Sequence, residues 1–359
     1  MHIPDGYLSP STCATLFGTS IPFWWVAMRR LKHRLMSRFV PLLSLFAAFS
    51  FVIMMFNLPL PGGTTGHAVG MGVATIVLGP SGSIIAISVA LFIQAFFFGD
   101  GGITALGANC FNMAIVGSLV AWATYRLLSG CAPLVSPRRV IAAGLAGYTA
   151  INVAALCAAI EFGIQPLLFH DASGAPLYAP YPLRIAIPAM MIGHLTFAGL
   201  AEFIVSAGVV AYLQRNEPWL LKTTASDVDD EAPGTREQGT RVLWFALAAL
   251  MILTPLGLLA VGHAWGEWSA RDFADAAARS EIAAASGNVA PPNQAPRGME
   301  RLSAIWTAPF NGYAPPFLRS PGLGYAMSAM LGTGLVLLTF LLARLVVHRR
   351  EPRSSGTFS

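Results

Sequence analysis

HAVGMGVATIVLG, residues 67 to 79, is the stretch whose reading decides the fold. As an α-helix it reaches only about 20 Å at 1.5 Å per residue, short of a hydrocarbon core of about 30 Å. It is nevertheless almost wholly apolar, and the turn formers Pro80-Ser81-Gly82-Ser83 separate it from the next apolar run. The pattern predicts the first arm of a helical hairpin, packed against protein.

Charge decides whether that arm counts as a span. Longer apolar runs lie at 11–28, 39–56, 84–99, 108–128, 140–162, 184–213, 242–262 and 322–347. Between and after them stand four basic clusters: Arg29, Arg30, Lys32, Arg34 and Arg38; Arg126, Arg138 and Arg139; Arg215, Lys222, Arg236 and Arg241; Arg344, Arg349, Arg350 and Arg353. Lys and Arg favour the cytoplasmic side, and all four clusters share a side only if the short arm is a span. The sequence therefore predicts an all-α integral membrane protein of nine spans, N-terminus outside and C-terminus cytoplasmic.

Composition agrees. The chain is 55% hydrophobic and 11% charged, with a mean hydropathy of +0.61, outside the range of soluble domains. The net charge of +5 resides in the topological clusters and leaves no nucleic-acid footprint. Cys13, Cys110, Cys131 and Cys157 show no C-x-x-C spacing and imply no disulfide framework. The chain lacks a G-x-x-x-x-G-K-[ST] phosphate loop, an H-E-x-x-H zinc helix and a G-x-S-x-G elbow. No catalytic residues are expected, and active transport would draw its energy from other subunits.

Residues 1–213 read as a compact seven-span block. Residues 214–240, containing DVDDEAPGTREQG, read as a cytoplasmic linker. Residues 241–348 form a two-span unit around an outer loop at 263–321, and 349–359 a cytoplasmic tail. That loop holds an alanine-rich helical stretch, EWSARDFADAAARSEIAAAS, and the aromatic, proline-rich SAIWTAPFNGYAPPF.

This topology brings MHIPDGY, LPLPGGTTGH and GDGGITALGANCFN to one outer surface. The N-terminus lacks the pattern of a signal peptide, and its second residue is bulky, so Met1 is expected to keep its free amine. The Met1 amine, the His2 main-chain nitrogen and the His2 imidazole can chelate a metal through fused five- and six-membered rings. His67 is the natural fourth nitrogen. A square plane of nitrogens suits Ni(II) or Cu(II), and nitrogen donors also suit Co(II). The plainer alternative is a structural histidine followed by a Pro4-Asp5-Gly6 turn.

Asp100, Asn109 and Asn112 either hold imidazole N–H groups around such a site or cap helix ends; Gln94 is a further candidate. His194 and Glu202 are ionisable groups inside a span. His194 reads as a packing residue, and the role of Glu202 stays open. Glu161 reads as a helix-boundary residue, and His33, His348, His170 and His263 as surface.

Together MHIPDGYLSP, PGGTTGHAVG and GDGGITALGANCFNM resemble the substrate-binding subunit of nickel and cobalt energy-coupling-factor transporters, the NikM/CbiM family, over residues 1 to about 213. The tail, with TPLGLL and SPGLGYAMSAMLG, resembles the family's two-span accessory component, fused as in NikMN-type proteins. The resemblance implies that Met1, His2 and His67 hold the ion as cargo, with no resident cofactor. It implies a transmembrane coupling subunit and two cytoplasmic ATPase subunits as partners in a bacterial inner membrane. The PDGYLSP form and the fused tail look more like the nickel members; Co(II) uptake for cobalamin supply, by the same mechanism, is the alternative. A membrane metalloenzyme would want an open coordination position and a general base. A secondary transporter would want repeated halves with broken helices.

Overall fold

The computed structural model describes residues 1–32, 39–60, 63–224, 237–260 and 262–349. His33, Arg34, Arg38, Arg350 and Arg353, residues 225–236 of the expected linker with Arg236 among them, the 350–359 tail and the side chains of His348 and Arg349 lie outside the described residues.

The chain is helical: α1 (Pro10–Leu31), α2 (Phe39–Met54), α3 (Met71–Phe98), α4 (Leu106–Ser129), α5 (Pro137–Leu168), α6 (Leu183–Asn216), α7 (Glu237–Leu253), α8 (Ala276–Ala285), α9 (Arg297–Ser303) and α10 (Pro321–Arg349). Among the described residues, six helical stretches are long and apolar enough to cross a membrane: α3 to α6, Arg241–Leu259 and Pro321–Val346. Phe39–Met54 is a shorter apolar helix.

α1 is not among those six because hydroxyls dilute its apolar face, but it satisfies them internally. Thr15 Oγ1 donates to Ser11 O at 2.8 Å, Thr19 Oγ1 to Thr15 O at 2.8 Å and Ser20 Oγ to Leu16 O at 2.9 Å. Phe17, Ile21, Trp25 and Met28 stand exposed along it.

The expected hairpin exists, and its corner falls at Gly79, just ahead of the Pro-Ser-Gly-Ser turn read from the sequence. Gly79 has φ 74° and ψ 166°, a region essentially reserved for glycine. Pro80 then opens the second arm, where its missing N–H costs nothing. Thr75 Oγ1 donates to Ser83 Oγ at 3.1 Å; in an unbroken helix these residues would be separated by about 12 Å of rise.

The approach to this hairpin is a two-stranded antiparallel ribbon, β1 (Leu58–Leu60) and β2 (Thr64–Gly66), with Leu58 opposite Gly66. Its second strand delivers the chain to His67. Glu202 of α6, wholly buried, then accepts hydrogen bonds from the N–H groups of Val69 at 2.8 Å, Gly70 at 2.9 Å and Gly72 at 3.3 Å. A carboxylate at the start of a helix satisfies donors that have no intrahelical partner. This staples the His67 segment to α6 and gives Glu202 a structural role. His194 lies in a π-helical turn, His194–Ala198, with Nδ1 2.8 Å from Met190 O.

The core of the block is built from small side chains. Ala142, Ala146, Ala150, Ala154 and Ala158 form one buried row along α5, letting neighbouring helices approach closely without a hydrophobic driving force from lipid. The packed block continues past α6: the turn Pro218–Thr224 buries Leu220 and Leu221.

The long segment between α7 and α10 folds over the end of the bundle that carries the N-terminus. Tyr7 Oη donates to Trp268 O at 2.7 Å, Tyr181 Oη to Val289 O at 2.9 Å and Trp306 Nε1 to Phe96 O at 2.9 Å. α10 is anchored beside α2, where Tyr325 Oη donates to Met55 O at 3.0 Å.

Candidate metal centre

The first seven residues enter the bundle as a tightly bonded turn. Asp5 accepts from Ile103 N at 3.1 Å and Thr104 N at 2.7 Å, and also bonds the Thr104 hydroxyl. Gly6 has φ +89°, and an added Cβ would sit 2.6 Å from Met299 Cα, so the turn and the covering segment both require glycine there. Ser9 then caps α1, its Oγ accepting from Thr12 N at 3.1 Å, while its own N–H donates to Gln165 Oε1 at 3.0 Å.

Asn109 fixes the main chain next to the terminus: Ile3 N donates to its Oδ1 at 2.8 Å and its Nδ2 donates to Ile3 O at 3.1 Å. Gly102 N also donates to Ile3 O at 2.8 Å. These bonds carry Met1 and His2 into the interior, at 3% and 2% exposure. The Met1 amine donates to Glu267 Oε1 at 3.3 Å.

His2 and His67 meet inside the bundle, with ring centroids 4.9 Å apart and planes tilted by 30°. His2 Nδ1 lies 2.9 Å from Asp100 Oδ1. His67 Nδ1 lies 3.1 Å from Ala68 O. A carboxylate or carbonyl oxygen only accepts, so each Nδ1 carries a hydrogen. His2 Nε2 is buried without a hydrogen-bond partner among the described residues. A six-membered chelate through His2 Nδ1 therefore requires the ring to turn about Cβ–Cγ, away from its position against Asp100.

Electrostatics favour neutral imidazole at His67. Burial, then the charges of His2 and the terminal amine, hold its pKa well below the ordinary imidazole value. At Asp100 burial raises the pKa, but the charges of His2 and His67 and hydrogen bonds from His2 and Tyr313 outweigh it and leave the carboxyl below the usual range.

Of the residues expected around the ion, Asp100 holds His2, Asn109 holds the adjoining main chain, and Gln94 reaches Asp100. Gln94 Nε2 is 3.4 Å from Asp100 Oδ2 and 3.0 Å from Tyr313 Oη. Asn112 is not brought in: its Nδ2 donates to Glu161 Oε2 at 2.8 Å. That hydrogen bond also gives the buried Glu161 an interior role in place of the expected boundary one. π-helical turns at Gln94–Phe98 and Cys110–Val116 flank the centre, a distortion that frequently marks functional positions.

Two residues at the centre, Glu267 and Tyr313, escape sequence reasoning. Both come from the segment after α7. Tyr313 Oη donates to Asp100 Oδ2 at 2.6 Å. The aromatic stretch around Tyr313 is conspicuous in the sequence, but no spacing rule ties it to a residue more than 200 positions away. Among the described residues no three His, Cys, Asp or Glu side chains gather as a metal-holding group. What meets there is a pair of imidazoles, His2 and His67, beside the buried Met1.

Residues 2–220 match the CbiM family, described as the cobalt uptake substrate-specific transmembrane region, and residues 239–349 match the PDGLE domain. The fused nickel transport protein NikMN of Rhodobacter capsulatus is 58% identical over 94% of this chain and 95% of that one. The probable fused nickel transport protein LarMN of Lactiplantibacillus plantarum is 40% identical over 98% and 99%. The cobalt transport protein CbiM of Geobacter sulfurreducens is 33% identical over 70% of each. A crystal structure of a truncated transition metal transporter superposes with a TM-score of 0.57 at 49% identity, covering 60% of this chain and 99% of that one. The chain belongs to the CbiM family of transmembrane metal-uptake proteins and carries a PDGLE domain behind its CbiM region.

Proposed function

We propose that this protein takes up a divalent transition metal, Ni(II) in preference to Co(II), as the substrate-binding subunit of an ATP-driven transporter. The ion is held by the Met1 amine, the main-chain nitrogen and imidazole of His2, and the imidazole of His67. Asp100, Asn109 and Gln94 support these ligands. The observation that carries this reading is the burial of Met1, His2 and His67, with the two imidazole rings 4.9 Å apart.

On this reading the N-terminus faces outward and the C-terminus the cytoplasm, in the inner membrane. Residues 1–213 bind the ion, the turn Pro218–Thr224 continues that packed block, the rest of 214–240 links, 241–348 form the accessory unit and 349–359 the tail. Energy comes from two ATPase subunits acting through a transmembrane coupling subunit, in keeping with the missing phosphate loop. Nickel is favoured by a nitrogen-only set able to form a plane and by the two fused relatives, both named nickel transport proteins. Cobalt is the second reading, carried by the family description and the Geobacter sulfurreducens relative.

Capture requires the ligand nitrogens to lose their protons, so binding releases protons and strengthens as pH rises. The test is calorimetric titration of the purified protein with Ni(II) and Co(II), paired with uptake by cells with and without the coupling and ATPase subunits. Tighter Ni(II) binding and subunit-dependent uptake are expected. Absence of binding to either ion overturns the reading.

A further inference from the structure

The geometry points to Tyr313 as a positioning residue for the metal centre: it fixes the Asp100 carboxylate, which in turn holds the His2 ring. The inference rests on the reading of His2 as an ion ligand.

Three observations carry it. Tyr313 Oη donates to Asp100 Oδ2 at 2.6 Å while Asp100 Oδ1 faces His2 Nδ1 at 2.9 Å, so the carboxylate bridges the tyrosine and the histidine. The remaining contact to Oδ2, from Gln94, is long at 3.4 Å, and Gln94 itself bonds the same tyrosine oxygen at 3.0 Å. Tyr313 is therefore the main anchor of that oxygen.

The second observation is how firmly the tyrosine is held. Its ring stacks on Phe98 at 5.0 Å and 21° and meets Tyr325 edge-on at 5.3 Å. Its carbonyl accepts from Ser328 Oγ at 3.0 Å. The third is its backbone. Tyr313 has φ +60°, a strained conformation for a bulky residue that persists only where its surroundings impose it. Here they aim one hydroxyl at one carboxylate oxygen.

A ligating imidazole is oriented by the acceptor on its other nitrogen, and losing that outer partner typically costs about 10- to 100-fold in metal affinity. With Nδ1 on Asp100, His2 presents Nε2. When the ring turns to chelate through Nδ1, Nε2 takes the hydrogen and needs the same acceptor. A residue of the PDGLE region thus completes a site whose proposed ligands all lie in the first 67 residues.

The test is a double-substitution cycle on the full chain, reading Ni(II) affinity by titration. Tyr313→Phe keeps the ring stack and deletes only the hydroxyl; about tenfold weaker binding is expected. In an Asp100→Ala background the same change is expected to have no further effect, because Tyr313 acts through Asp100. Additive losses overturn the relay, as does unchanged affinity in Tyr313→Phe. A merely structural role would lower the unfolding midpoint without changing the tautomer of His2. Nitrogen-15 chemical shifts of metal-free protein report that tautomer directly: Nδ1–H in wild type and a mixture in Tyr313→Phe. An Nε2–H tautomer in wild type overturns the inference without any variant. Loss of binding in His2→Ala with silent Tyr313→Phe defeats this inference alone. Normal binding in His2→Ala defeats the underlying reading.

Discussion

His2 Nδ1 lies 2.9 Å from Asp100 Oδ1, while Nε2 of the same ring is buried without a partner among the described residues. The carboxylate thus fixes the orientation of the ring. Asp100→Ala removes the holding oxygen and leaves the imidazole free to rotate, so metal affinity falls by about 10- to 100-fold. Asp100→Asn, which keeps one carbonyl oxygen, loses less. Titration calorimetry with Ni(II) separates the two.

His67 gives the centre its pH dependence of folding. Its folded-state pKa is depressed by burial and by the neighbouring positive groups, so below about pH 6.5 the unfolded chain takes up the proton first. Stability is fully present above that pH and falls as the pH drops toward the folded-state value. Metal-free wild type is expected to lose thermal stability between pH 7.5 and 5.5, and His67→Gln to lose less. Equal pH slopes for the two proteins contradict the assignment.

Glu202 is the acceptor for three main-chain N–H groups just beyond His67. Glu202→Ala leaves them buried without partners, at a cost of about 1–3 kcal/mol for a group so stranded. Both the unfolding midpoint and Ni(II) affinity are expected to fall, the latter because the His67 segment loses its anchor on α6. Glu202→Gln, retaining one acceptor oxygen, should recover part of each.

Gly79 makes the hairpin corner at φ 74° and ψ 166°. Gly79→Ala places a side chain in a region that only glycine occupies readily, destabilising the fold by about 1–3 kcal/mol. The effect is expected on thermal unfolding of the metal-free protein, with little change in the affinity of the molecules that remain folded. A larger effect on affinity than on stability would contradict a purely architectural corner.

Much of the fold is legible in the sequence because membrane insertion imposes long apolar runs with charge at their ends. The short arm was readable from its length and its glycine and proline flanks, although the corner falls at Gly79 rather than within Pro80–Ser83. Glu202 was readable as an ionisable group in a span, but its partners are main-chain amides, which have no residue type to search for. Asn112 illustrates the converse: it has the right chemistry in the right loop, yet the π-helical stretch Cys110–Val116 directs it to Glu161. Tyr313 and Glu267 were not legible, because their contacts depend on how the segment between α7 and α10 folds back over the bundle. Local spacing does not encode such a return.

The central claim is that the Met1 amine is an ion ligand, and one measurement separates it from every side-chain explanation. A variant with a single residue added before Met1 retains His2, His67, Asp100 and Tyr313 and displaces only the amine. Its Ni(II) affinity, measured by titration beside the wild type at the same pH, is expected to collapse while the unfolding midpoint of the metal-free protein changes little. Unchanged affinity in the extended chain would contradict the account.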